Sequence, residues 1–223
     1  YMEYSNKNIL LVFGLKKELE ILSSSHKFNS FSGFGKESSL LLKKFLTKDT
    51  KVVINLGFCG SVDNKIKCGE ILEANVFFNE KKEKIKPRKF DHIELEKRIQ
   101  NLCLRKVELM TTNSVKNLSE KIKLKKKNNH ISIIDMEAFH ILKALGDKKI
   151  SFYSIKIVYD DLSLEIPEYI LSNLDKDGNF LIDSIFIKNL FVKPKRITEL
   201  IRLGLSFYFC KKKFKKLIDS LFY

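Results

Sequence analysis

An α/β fold in a single domain spanning 1–223 is what this sequence predicts, and three observations carry the prediction. Short apolar runs rich in β-branched residues alternate with segments of helical periodicity along most of the chain, the pattern of strands covered by helices. At 223 residues and 44% apolar content, the chain has enough material for one generous core. The stretch Ile131–Asp161 shows the unit most clearly: Ile131–Ile134 reads as a buried strand, and Met136, Phe139, Ile141, Leu142 and Leu145 recur at helical spacing. Gly146 then stops the helix, and Phe152–Val158 reads as a second strand ending on Asp160 and Asp161. Acids stand where the first strand hands over, at Glu137, and where the second finishes, at Asp160. In an open α/β sheet, ligands sit outside the carboxyl ends of the strands, which makes these two carboxylates candidates for one pocket.

The other elements follow in order. Asn8–Phe13 reads as a buried first strand, punctuated by Gly14 and followed by the helical LKKELEIL. His26–Phe31 is read as one strand. Ser32-Gly33-Phe34-Gly35-Lys36 is a turn that opens a helix with Leu40, Leu41, Leu42 and Phe45 on or near one face. Lys51–Leu56 is a strand, and Gly57-Phe58-Cys59-Gly60-Ser61 a tight turn at its end. Gly69–Phe78 is a further strand and Glu80–Lys89 a charged, solvated loop. Ile93–Leu104 is a helix, Val107–Thr112 a strand, and Lys116–Lys127 a basic helix with a solvated face. Pro167 starts a short helix and Phe180–Phe191 forms another. Thr198–Phe222 closes the chain as a basic amphipathic helix with a break near Gly204.

The net charge of +15 raises nucleic acid or an anionic membrane as partners. The lysines are spread over every segment, however, and the basic helix lacks interleaved aromatics, so overall composition explains the charge better and no nucleic-acid partner is expected. Cys59, Cys68, Cys103 and Cys210 show no Cys-x-x-Cys spacing, which predicts a reducing cytoplasm and no zinc. No signal peptide and no membrane-spanning run is read. Other motifs fail on inspection. Glu137 and His140 form a lone Glu-x-x-His without the second copy that a di-metal site needs. Asp175, Asp177 and Asn179 start like a calcium loop, but Phe180 and Phe186 stand at its glycine and glutamate positions. Gly57 and Gly60 lack the Gly-Lys-Ser/Thr of a P-loop. No metal and no cofactor is expected.

The order of the pieces is more specific than any one of them. The chain resembles the superfamily of purine nucleoside phosphorylases and methylthioadenosine/adenosylhomocysteine nucleosidases. Six stretches over about residues 8–165 carry the resemblance: Gly14-Leu15-Lys16-Lys17-Glu18, Ser32-Gly33-Phe34-Gly35-Lys36, Asn55-Leu56-Gly57-Phe58-Cys59-Gly60, Gly69-Glu70, Asp135-Met136-Glu137-Ala138, and Lys156-Ile157-Val158-Tyr159-Asp160. Within it the likeness is nearest to the hopanoid-associated, adenosylhopane nucleosidase/phosphorylase branch. The short Glu18–Gly33 interval, the Asp that begins the triplet, and the order of Asp161, Leu164, Pro167, Asp177-Gly178 and Pro194 point there. The resemblance implies a three-layer α/β/α domain with a mixed, partly barrel-like central sheet, and a cytoplasmic homo-oligomer, a dimer being favoured.

It also implies roles. Asp160 would donate a proton toward N7 of adenine, Glu137 would bind the ribose hydroxyls near the developing oxocarbenium ion, and Glu18 would take a proton from attacking water. Met136, Gly57, Phe58 and Gly60 would line the base and sugar pockets. The sequence departs from the pattern in four places: Phe58 stands where phosphorylases carry Ser or Thr for phosphate, Lys16 and Lys17 stand near the first strand in place of arginines, Lys156 and Tyr159 replace Arg and Ser beside Asp160, and Val115 stands where an aromatic packs on the base. Three readings remain: a nucleosidase releasing adenine from a 5′-substituted adenosine, a phosphate-dependent phosphorylase, and an inactive relative that binds nucleotide or RNA. The presence of all three acids favours the first. For the C-terminal helix two accounts stand open. Ile197, Leu200, Ile201, Leu205, Phe209, Phe214, Leu217, Ile218 and Leu221 either pack on the sheet or, with Lys211–Lys213, Lys215 and Lys216, make a peripheral contact with the inner face of the membrane.

Overall fold

The computed structural model describes residues 6–22, 28–90, 93–164, 166–173 and 195–222. Eight strands form one mixed sheet: β1 (Ile9–Phe13), β2 (Asn29–Ser32), β3 (Val52–Ser61), β4 (Ile71–Asn79), β5 (Lys84–Ile85), β6 (Arg105–Thr111), β7 (Ile133–Asp135) and β8 (Ser151–Asp160). The helices are α1 (Lys16–Leu19), α2 (Glu37–Phe45), α3 (Ile93–Asn101), α4 (Leu118–Lys127), α5 (Ala138–Leu145), α6 (Glu168–Leu171) and α7 (Lys195–Phe222).

Pairing closes part of this sheet on itself. β3 pairs with β8, β8 with β4, β4 with β6, β6 with β7, and β7 returns to β3. The ring is mixed: β3–β8, β4–β6 and β6–β7 are parallel, and β3–β7 and β4–β8 antiparallel. β1 and β2 extend it as a parallel wing from the first half of β3, and β5 adds an edge to β4.

The period-two alternation of the strands divides the core into layers. Leu10 and Val12 of β1 and Val53 of β3 join Leu42 of α2 and Phe139, Ile141 and Leu142 of α5 in one cluster. Ile9, Leu11, Phe13, Val52, Ile54 and Leu56 face the other way, onto Leu95 and Ile99 of α3 and Phe214, Leu217, Ile218 and Leu221 of α7. That is the expected α/β/α layering around a partly closed sheet. Buried Asn55 of β3 donates to the Val12 carbonyl and accepts from the Ser154 hydroxyl, at 3.2 Å each, tying β1 and β8 across β3.

Four expectations are corrected. Gly57–Ser61 is not a turn: β3 runs on through it, held extended by β8 on one edge and β7 on the other, with a register shift at Cys59/Gly60. Of the apolar residues of α2 only Leu42 is fully buried, whereas Leu40 is exposed, because the nine-residue helix presents one stripe to the core. α7 is continuous through Gly204. Its apolar residues divide between two environments: Phe214, Leu217, Ile218 and Leu221 pack on the sheet, while Ile197, Ile201, Leu205 and Phe209 are exposed. Within the charged segment Glu80–Lys89, Lys84–Ile85 pairs with β4 as the short strand β5. The Asp175–Asn179 turn and the Phe180–Phe191 helix lie outside the described residues. No helix among the described residues is long and apolar enough to cross a membrane.

Candidate active site

The carboxyl ends of β1, β6, β7 and β8 and the second half of β3 converge on a cavity of about 130 Å³. Glu18, Glu137 and Asp160 all line it, with Gly14, Phe58, Gly60, Asp135 and Met136. All three acids are 2–7% exposed, although they lie far apart in the chain.

Each acid is seated against a glycine. Gly14 follows β1, and a methyl group there would lie 3.1 Å from the Glu137 carboxylate; one on Gly57 would lie 3.0 Å from that of Glu18, and one on Gly60 2.9 Å from Oδ1 of Asp160. The three glycines therefore supply space against the backbone that any side chain would take from a carboxylate. Gly57 was expected in the pocket lining and serves it indirectly, by making room for Glu18.

Glu18 is held by three backbone N–H groups. Gly14 and Leu15 donate to Oε2 at 2.9 and 2.8 Å, and Phe58 donates to Oε1 at 2.7 Å. Burial raises its pKa, and these donors oppose the rise. Glu137 sits at the start of α5 and accepts the Gly35 N–H at 3.1 Å. Gly35 reaches it from a left-handed conformation, φ +57°, that glycine adopts without strain. Burial and then the charge of Asp135 push Glu137 up to about 8, against the pull of Lys156. Asp160 is pushed up to about 6, by burial first, with Lys121 opposing. Three carboxyl groups with raised pKa values around one cavity are the arrangement in which acid and base roles can be divided near neutral pH.

The remaining predicted residues fall into place differently. Met136 lines the cavity. The Phe58 ring packs with Tyr159, Phe207 and Phe214, which directs it toward α7 while its N–H serves Glu18. Lys16 and Lys17 are exposed. Lys156 does not pair with the nearby Asp160; it pairs with Asp135 at 2.9 Å, both side chains sealed at 1% and 0% exposure. Asp135 also accepts from the Thr111 hydroxyl at 2.7 Å and the Ala138 N–H at 3.0 Å. Burial works against the Lys156 ammonium, yet Asp135 and Glu137 outweigh it and hold its pKa above the usual lysine value.

Sequence reasoning missed Lys121. The helix read as a solvated basic face brings this side chain inward, 3% exposed, to an ion pair with Asp160 on the cavity wall. A usable signal was present: Leu118, Lys121 and Leu124 stand three apart on one helix face. Phe34 and Ile166 are further apolar wall residues not singled out, and Val115 lines the wall as a small aliphatic group.

No family model matches the chain, and no curated protein does. Solved structures are similar. A 5′-methylthioadenosine nucleosidase of Arabidopsis thaliana, in apo form, superposes with a TM-score of 0.63 at 14% identity, covering 97% of this chain and 96% of that one. A Borrelia burgdorferi protein described as a 5′-methylthioadenosine/S-adenosylhomocysteine nucleosidase, bound to adenine, gives 0.61 at 16% identity, over 95% and 99%. A Chlamydia trachomatis nucleosidase bound to methylthioadenosine gives 0.56 at 15%, over 95% of each chain. The similarity runs over nearly the whole chain of each, so the closed mixed sheet and its flanking helices form the nucleoside phosphorylase/nucleosidase fold.

Proposed function

We propose that this protein is a nucleosidase that releases adenine from a 5′-substituted adenosine. The observation that carries the reading is the meeting of Glu18, Glu137 and Asp160 around one cavity, each set on its own glycine. Cleaving an N-glycosidic bond builds positive charge on the ribose and negative charge on the departing purine. Asp160, whose carboxyl keeps its proton to about pH 6, donates that proton to the purine so that it leaves neutral. Glu137 hydrogen-bonds the ribose hydroxyls, and the positive charge of the forming oxocarbenium ion favours its ionised form, against the rise to about 8 that burial and Asp135 give it in the ligand-free protein. Glu18 takes the proton of the attacking water. The solved neighbours that hold adenine or methylthioadenosine support the substrate class.

Water rather than phosphate is the proposed nucleophile. The Phe58 N–H is occupied by Glu18. Among the described wall residues the cations are Lys116, paired with Glu80 at 3.0 Å, and Lys121, paired with Asp160. Neither is left to hold a dianion.

For the 5′ substituent we propose an apolar group, up to the lipid tail of an adenosylhopane. Phe34, Val115, Met136 and Ile166 supply an apolar wall, and the outward face of α7 carries Ile201, Leu205 and Tyr208 exposed ahead of exposed Lys212, Lys215 and Lys216, a surface suited to an anionic bilayer. A panel of adenosines with hydroxyl, methylthio, homocysteinyl and alkyl 5′ groups, assayed for adenine with and without phosphate, tests the reading. Adenine with free ribose derivatives, fastest for apolar 5′ groups, is expected. Ribose 1-phosphate derivatives as the main product would reverse the choice of nucleophile, and no adenine from any member would end the nucleosidase reading.

A further inference from the structure

Lys121 is a buried cation at the reacting edge of the cavity, and the proposed chemistry has so far given it no task. α4 is basic and mostly exposed, yet of the five lysines in LSEKIKLKKK Lys121 alone is buried. Its direction is fixed at both ends of the helix. The Asn117 side chain accepts the Glu120 N–H at 3.0 Å and the Glu120 carboxylate accepts the Asn117 N–H at 2.9 Å, a reciprocal cap that sets the register. Lys125 anchors the next turn on Asp63 at 3.1 Å and on the Ile131 carbonyl at 2.8 Å. Between these anchors the Lys121 ammonium meets Oδ2 of Asp160 and lies 3.3 Å from the Asp160 carbonyl. Gly60 is the floor under both side chains: a methyl group there would stand 2.9 Å from Oδ1 of Asp160 and 3.3 Å from Cε of Lys121.

We propose that Lys121 is the positioning residue for the proton-donating carboxyl, aiming Asp160 at the leaving base and deciding over which pH range it carries its proton. The inference rests on the nucleosidase reading for its catalytic consequence, but not for the link between the two side chains. In the reaction, the C1′–N9 electron pair passes to the purine, the Asp160 proton moves to a purine ring nitrogen, and water supplies the new bond at C1′ while its proton passes to Glu18. Asp160 ends the step as a carboxylate, and the adjacent ammonium favours that product of proton transfer. Lys121 therefore makes Asp160 a stronger acid and, in exchange, one that is loaded over a lower pH range.

The other titratable groups near Asp160 do not supply this charge: the Lys156 ammonium, on the same strand, is taken by Asp135 at 2.9 Å. Asp161, beside it, opposes ionisation, and Tyr159 on the same strand, Cys59 on β3 and Cys68 before β4 all feel the Asp160 charge as neutral or acidic groups. Asp161 is itself occupied by the N–H groups of Cys68, Ser163 and Leu164, at 2.9, 2.7 and 3.0 Å.

The test is a carboxyl ¹³C NMR titration of ligand-free protein, with the Asp160 resonance assigned by its loss in Asp160→Asn. In Lys121→Met, or Lys121→Gln if that variant folds better, Asp160 is expected to hold its proton about one to three pH units higher. Lys121→Arg, which keeps the charge, should titrate near the parent. In the adenine-release assay the falling limb of kcat/KM should move up with the NMR midpoint in Lys121→Met and stay in Lys121→Arg, which a purely structural role would not produce. An Asp160 midpoint unchanged by Lys121→Met overturns the proposal whatever the activity. A shifted midpoint in a parent that releases no adenine leaves the link standing and removes the nucleosidase reading.

Discussion

Two carboxylate–lysine pairs sit a short way apart beside the same cavity, and their surroundings differ. Asp135–Lys156 is sealed on both sides, and Asp135 has two further donors, the Thr111 hydroxyl and the Ala138 N–H. Thr111 in turn accepts the Phe139 N–H at 2.9 Å, so the pair is built into the junction of β6, β7 and α5. Asp160–Lys121 has a thinner set of partners, and both members face the cavity. A buried charge whose lone pairs are all taken belongs to the scaffold; a buried charge left with an open side toward a cavity is available for chemistry. The same residue types in the same cavity wall thus divide, on the proposed function, into a strut and a working group according to how many donors surround them.

The comparison is broken most forcefully by removing the strut. Lys156→Met leaves Asp135 buried without its cation and should lower stability by about 3–5 kcal/mol, read as a shifted urea midpoint. Lys121→Met should move that midpoint far less, since Asp160 can take up a proton instead. Equal losses in the two variants would mean that both pairs are structural.

A smaller effect sharpens the working side. Gly57→Ala places a methyl group 3.0 Å from the Glu18 carboxylate and should displace it, cutting adenine release about a hundredfold with the fold intact by circular dichroism. Parent-like turnover would show that Glu18 need not be held where it is.

The smallest effect concerns pH. Glu137 has its pKa raised from an ordinary 4.5 to about 8 in the folded state, so the native protein binds more protons than the unfolded chain between those values. Its contribution to stability is full below 4.5 and is lost as pH rises through about 8. The melting temperature of the ligand-free parent should therefore fall from pH 5 to pH 8 more steeply than that of Glu137→Gln, by a few degrees, in thermal melts across that range. Parallel curves would place the charge cost elsewhere.

How far these features could be read in the sequence follows from their physics. β1, β4 and β8 were legible because apolar β-branched runs have few other uses, and the three acids because they stand in motifs at strand ends. The extension of β3 through Gly57–Ser61 was not legible: glycines signal a turn locally, and the pairing with β7 and β8 that keeps them extended comes from residues 72 to 100 positions away. Lys121 was hidden for the opposite reason. Its neighbours Lys123 and Lys125–Lys127 make the segment read as a solvated face, while Ile122, which a hydrophobicity pattern would bury, is 42% exposed. The Asn117–Glu120 cap and the Lys125 anchor on Asp63 and the Ile131 carbonyl fix the register that turns Lys121 inward. The division of α7 into a packed half and an exposed half also depends on how far the sheet extends beneath it.

Everything proposed for this cavity depends on its breaking an N-glycosidic bond with Asp160 as the acid. The most direct measurement is single-turnover release of adenine from 5′-methylthioadenosine in phosphate buffer near pH 6, comparing the parent with Asp160→Asn. Adenine and a free methylthioribose are expected from the parent, and a rate about a hundredfold to ten-thousandfold lower in the variant with substrate still bound. Adenine release at the parent rate by Asp160→Asn, or none from the parent, would contradict it.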